Sequence, residues 1–187
     1  YNDESGQTAA ARTSYVWSYY YGMLRNINKV INTANRQSDI NARIAQHGLP
    51  NVYNEKAEKY YTIDGTDTLA TYTLQEANIA GYYAQALTMR AYCYSNLIKL
   101  YAQTNSQLRG AWEDEVVCPI YNENNLEEAQ PVATLKEAYS QVENDLTLAI
   151  SYFDALESTY TRTSKLTVDG NVARGLLAYS YLNKAVP

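Results

Sequence analysis

The chain has 187 residues and is 46% hydrophobic, enough to bury a core in one domain or two small ones and too much for a mostly disordered chain. Its net charge of -5, with no Lys/Arg block, argues against a nucleic-acid partner, because a phosphate backbone is met by clustered cations. No stretch approaches the about 18 to 20 consecutive apolar residues that a membrane-spanning helix needs. The first residues are polar rather than signal-like, and the abrupt ends predict a piece of a longer protein.

Long stretches without Pro or Gly carry apolar residues at three-and-four spacing, which predicts amphipathic helices. The first runs from about Ala11 to Arg36, with Trp17, Tyr21, Leu24, Ile27, Ile31 and Ala34 along one stripe and Arg25, Asn28 and Asn32 on the polar side. Between Gln37 and Thr73, Gly48-Leu49-Pro50 and Asp64-Gly65-Thr66-Asp67 predict loops around a short helix near Glu55 to Tyr61. A hairpin about the Asp-Gly turn would suit the same tract, although its strand signal is short. His47 falls in the polar loop, a lone histidine without partners, and Asp64-Gly65-Thr66-Asp67 reads as a turn because it lacks the spacing and terminal Glu of a calcium loop.

The second long helix, about Gln75 to Gln103, has one seam at Ala84, Leu87, Ala91, Tyr94, Ile98 and Tyr101, and another at Tyr83, Ala86, Cys93, Leu97 and Leu100. Two seams predict neighbours on two sides. Gln107 to Pro131 reads as a loop holding Trp112, the acidic run Glu113-Asp114-Glu115, Cys118 and Tyr121. The third helix opens on a capping box, Thr134 with Glu137, and continues through Leu135, Ala138, Val142, Leu146, Ala149 and Phe153. Asp169-Gly170-Asn171 marks a turn before the fourth, Val172 to Lys184, with Ala173, Leu176, Leu177 and Ser180 inward.

Ala86 to Tyr94 echoes Ala173 to Tyr181, with alanine at matching spacing and a Tyr-x-Tyr end in both. Small residues there let helices approach closely, as in tetratricopeptide pairs. The expected fold class is therefore all-α: stacked tetratricopeptide-like hairpins, an α-solenoid, with long inserted loops. Its first helix pairs with the second and its third with the fourth, in one domain over residues 1–187.

Catalysis needs matched partners, and the residues offer none. Glu113, Asp114 and Glu115 are adjacent and diverge, whereas a glycosidase pair sits about 5 to 9 Å apart across a cleft, so the run reads as a solvated acidic loop. Cys93 and Cys118 lack CxxC spacing and read as two free thiols, and no residue set has metal-ligand spacing. Arg90 and Asp145 are charges in apolar helical surroundings and are expected to be structural, Arg90 meeting Asp145 or nearby carbonyls between packed helices, because an unpaired buried charge is costly. Tyrosine is the unusual residue, 20 copies against one Phe and two Trp. A tyrosine ring offers an apolar face with a polar tip, suited to sugar stacking as well as packing. Trp112, Tyr121, Tyr15 and Tyr19 are the ligand-contact candidates, and Trp17 is expected in the core.

Several segments resemble the SusD/RagB family. Trp17, Tyr21, Leu24, Arg25, Asn28 and Ile31 are similar to its first helix, and the run Ala84 to Ala102 to the helix that carries its GEA-x-FLRA signature. Thr134, Glu137, Tyr139, Val142, Asp145, Leu146 and Ala149 resemble its T-x-x-E-x-Y helix, and Ala173, Leu176, Leu177, Ala178 and Leu182 its A-x-ALLA helix. Four segments in order cover most of the chain. The resemblance implies a non-enzymatic, cofactor-free lipoprotein on the cell surface, riding on a SusC-like TonB-dependent transporter of the outer membrane and capturing glycans or peptides. The lipidated cysteine would lie upstream of Tyr1, and this chain would be the amino-terminal, tetratricopeptide-like part. The alternative is a generic tetratricopeptide scaffold that binds protein along a concave groove.

Overall fold

The computed structural model describes residues 9–37, 39–102, 112–156 and 167–185, and the structural statements that follow are made of these. In chain order they form α1 (Ala9–Gln37), α2 (Ile40–His47), β1 (Val52–Asn54), β2 (Lys59–Asp64), β3 (Asp67–Thr73), α3 (Leu74–Tyr101), a 3-10 turn (Trp112–Asp114), β4 (Val116–Pro119), β5 (Val132–Thr134), α4 (Leu135–Ala155) and α5 (Gly170–Ala185). Helices dominate, but two small sheets make the chain mixed rather than all-α, which corrects the expected fold class.

The helix α3 lies at the centre because of how it starts and what lines it. Thr73 and Glu76 form a capping box: Glu76 N–H donates to Thr73 Oγ1 at 3.3 Å, and Thr73 N–H donates to Glu76 Oε2 at 2.7 Å. Ala77, Ala80, Ala84 and Ala91 are buried along it, and such short side chains let neighbours close in on both sides. One neighbour is α1 and the other α4, the more extensive contact, while α5 packs mainly on α4. Both expected helix pairs are present, and α3 against α4 joins them. Leu87 and Leu97 of α3, Leu24 and Ile31 of α1, and Val142 and Leu146 of α4 are almost fully buried. Each such side chain stabilises the fold by about 1.5–3 kcal/mol relative to exposure.

The two echoing segments are not equivalent. Ala91 is fully buried, but Ala178 is exposed, as are Tyr179, Tyr181 and Leu182. Their difference follows from position, since α3 is covered on two sides and α5 packs mainly on one helix.

The tract from Val52 to Thr73 is a three-stranded antiparallel sheet in the order β1-β2-β3, so the expected short helix at Glu55 to Tyr61 is overturned. Alternation decides it: Tyr60 and Thr62 of β2 are buried opposite Tyr72 and Ala70 of β3, while Lys59, Thr71 and Thr73 face outward. Gly65 turns the β2–β3 hairpin at φ 59°, a left-handed conformation that glycine adopts without strain. A second unexpected element is α2, whose Ile40 and Ile44 are buried one turn apart. His47 is its last residue and half-buried, not a loop residue. Within the stretch expected to be loop lies β4, which pairs with β5 just beyond that stretch and buries Cys118.

Candidate functional site

Three helices bring polar side chains together in the core. Asn28 of α1, Arg90 of α3 and Asp145 of α4 are each almost wholly buried. Arg90 Nε donates to Asp145 Oδ2 and Nη2 to Oδ1, both at 2.7 Å. Its Nη1 donates to Asn28 Oδ1 at 2.8 Å and to Glu123 Oε2 at 2.6 Å. Four of the five guanidinium N–H donors are thereby placed. Burial pulls the Arg90 pKa down, but the bonds and charges of Asp145 and Glu123 outweigh it and hold the cation above its ordinary range.

The same cluster clamps the segment between β4 and β5. Asn28 Nδ2 donates to the Tyr121 carbonyl at 3.0 Å, and Tyr21 Oη donates to the Pro119 carbonyl at 2.8 Å. Tyr94 Oη both donates to the Tyr121 carbonyl (2.8 Å) and accepts from its N–H (2.7 Å). Burial pushes the Tyr21 and Tyr94 hydroxyls up from their ordinary pKa, which keeps them protonated donors. Held this way, the segment walls an open groove of about 600 Å³ against α4.

The aromatic candidates fall in different places. Trp17 is half-buried, its ring 4.8 Å from Tyr21 and 4.9 Å edge-on from Tyr101, so it packs between α1 and α3. Tyr121 is half-buried in the clamped segment, edge-on to Tyr21 at 5.9 Å. Tyr15 and Tyr19 stand on α1, 72% and 54% exposed, and Tyr19 meets the ring of Tyr20 edge-on. The Trp112 side chain lies outside the described ones. Glu113 accepts from Lys136 Nζ at 2.9 Å, an exposed ion pair. The described residues hold no cluster of metal-binding side chains, and none of their helices is long and apolar enough to cross a membrane.

Residues 1–177 match a SusD-like family described as starch-binding and associating with the outer membrane. The chain belongs to the SusD-like family. This SusD-like chain is similar in fold to a solved SusD-like carbohydrate binding protein from Bacteroides vulgatus ATCC 8482, with a TM-score of 0.59 at 22% identity over 90% of the chain. It spans 27% of the length of that protein. No curated protein matches it.

Reading the sequence of this SusD-like chain missed three members of its clamp. Asn28, expected on the polar side of α1, is fully buried. The signal was its spacing, one turn after Leu24 and three residues before Ile31, both in the core. Glu123 carried no local signal, because its partner lies 33 residues away. Tyr94 belongs to a seam by spacing, yet its hydroxyl, invisible to periodicity, does the anchoring.

Proposed function

We propose that this chain is the amino-terminal, tetratricopeptide-like scaffold of a nutrient-binding protein on the outer-membrane surface. In this reading it captures glycans without chemical change and hands them to a SusC-like TonB-dependent transporter. The observation that carries the reading is family membership over residues 1–177. The ring of Tyr121, edge-on to Tyr21 in the clamped segment, supports it, since a flat ring lies well against the C–H face of a sugar. Tyr121, Tyr15, Tyr19 and Trp112 are the proposed contacts, and a lipid anchor upstream of Tyr1 the proposed hold on the membrane.

A glycan array probed with the full-length protein tests the capture step. Retention of at least one oligosaccharide class is expected. Retention of none overturns the reading. Co-purification of the full-length protein with a TonB-dependent transporter from outer membranes tests the partner, and its recovery free of any transporter overturns that part.

A further inference from the structure

The groove between the clamped segment and α4 has a lining whose chemistry is selective. Ile120, Pro131, Val132 and Ala133 supply apolar surface. Around them stand Asn125, Gln130, Ser140, Gln141 and Asn144, all neutral hydrogen-bonding groups. Two charged residues also line it, and both are engaged elsewhere. Lys136 Nζ is on Glu113, and Glu137 Oε2 accepts from the N–H and hydroxyl of Thr134 at 2.8 and 3.0 Å as it caps its own helix. Among the described residues that line the groove, no cation is left uncommitted for an anion and no carboxylate for a cation.

The remaining polar capacity is that of amides and of the Ser140 hydroxyl, which donates to the Lys136 carbonyl at 2.8 Å and can still accept. Gln141 donates through Nε2 to Asp145 Oδ1 at 3.0 Å, which fixes the side chain and leaves its carbonyl oxygen as a free acceptor. Gln130 donates to the carbonyls of Glu128 (3.1 Å) and Asn125 (3.5 Å), again leaving its own oxygen free. Asn144 is exposed and neither end of its amide is engaged among the described residues, so it can donate and accept at once. Fixed acceptors beside a bifunctional amide, over apolar surface, match vicinal hydroxyls on a ring with C–H faces. The clamp explains why the wall is ready: Arg90 holds Glu123, and Tyr94 holds the Tyr121 backbone in both directions. Such preorganisation reduces the ordering that binding would otherwise require.

We infer that this groove is a subsite for a neutral oligosaccharide, bound by Gln130, Gln141 and Asn144, with Arg90 and Tyr94 as positioning residues. It rests on the glycan-capture reading above and adds a location and a charge preference to it.

The test uses the full-length protein on an array of neutral α-glucans and β-glucans alongside sulfated and sialylated glycans, followed by calorimetry with the strongest-bound oligosaccharide. Asn144 is exposed, so Asn144→Ala and Asn144→Trp leave the core untouched. Tyr82→Ala, at an exposed ring on α3 outside the groove, is the control. The expected result is a neutral glycan bound by wild type, about three- to tenfold weaker binding in Asn144→Ala, none in Asn144→Trp, and no change in Tyr82→Ala. Wild-type affinity in Asn144→Trp overturns the subsite and leaves glycan capture standing. Preference for the sulfated or sialylated glycans overturns the charge argument, and an array with nothing retained overturns capture and subsite together.

Discussion

Arg90 and Asp145 meet through two parallel bonds of 2.7 Å between α3 and α4, and the pair is nearly sealed from solvent. Burying two charges is costly, and the pair is tolerable because almost every donor and acceptor has a partner. Removing Arg90 leaves Asp145 as a buried charge with only the Gln141 amide beside it, and removing Asp145 leaves Arg90 with Glu123 as its remaining carboxylate. Arg90→Met and Asp145→Leu are each expected to lower unfolding free energy by about 3–5 kcal/mol in urea titrations, and the double variant by clearly less than their sum. Additive losses would show that the two side chains do not act as a unit.

Tyr94→Phe deletes one oxygen and two bonds to the Tyr121 backbone while keeping the ring in its seam. Expected is a loss of about 1–3 kcal/mol, with faster amide exchange concentrated between residues 119 and 131. Exchange that rises evenly along α3 instead would mean that the hydroxyl does not anchor that segment.

Among the described residues, Ser180 Oγ is a buried polar atom without a hydrogen-bond partner. An unpaired buried hydroxyl loses its water and gains nothing in return. Ser180→Ala should therefore leave stability unchanged or raise it by up to about 1 kcal/mol, read from the thermal midpoint. A clear drop in that midpoint would reveal a bond that the hydroxyl makes in solution.

Cys93 and Cys118 are both buried, and burial pushes their pKa from the ordinary 9.0 up to about 12 and about 11. At pH 8 a thiol reagent is expected to label neither in the folded protein and both after denaturation. Linkage sets the sign at higher pH. Between about 9 and 11 the unfolded chain releases thiol protons that the folded chain retains, so stability should fall as pH rises through that window. The Tyr21 and Tyr94 hydroxyls, shifted up by burial, push the same way.

Glu137 moves oppositely, because the backbone N–H of Thr134 and then its hydroxyl favour the charged carboxylate and hold its pKa below the ordinary 4.5. The contribution of the cap is present above 4.5 and lost as pH falls through the lowered value. The protection of the amides in the first turn of α4, corrected for the intrinsic exchange rate at each pH, should fall on acidification to pH 3, and Glu137→Gln should blunt that response.

Much of this was legible in one dimension. Helix positions followed from period and caps: α4 begins at Thr134 with the expected capping box, and α3 uses the same device at Thr73 and Glu76. Of the two readings of the tract, the hairpin about Asp64-Gly65 is the one realised, and the helix expected at Glu55 to Tyr61 is not, because that stretch is too short for either period to dominate. Its strand character comes from Tyr60 and Thr62 facing Tyr72 and Ala70, a pairing that exists only once the hairpin has closed.

Composition, spacing and motif order determined by themselves that the chain is mainly helical, that α3 has neighbours on two sides, and that it resembles the SusD/RagB family. These are properties of residues three or four apart, within reach of local sterics and helix geometry. Only the tertiary structure decided that Ala178 stays exposed where Ala91 is buried, and that Glu123 and Tyr94 tie a distant segment to the helices. Those outcomes depend on which faces meet, and partners tens of residues apart leave no mark on local spacing.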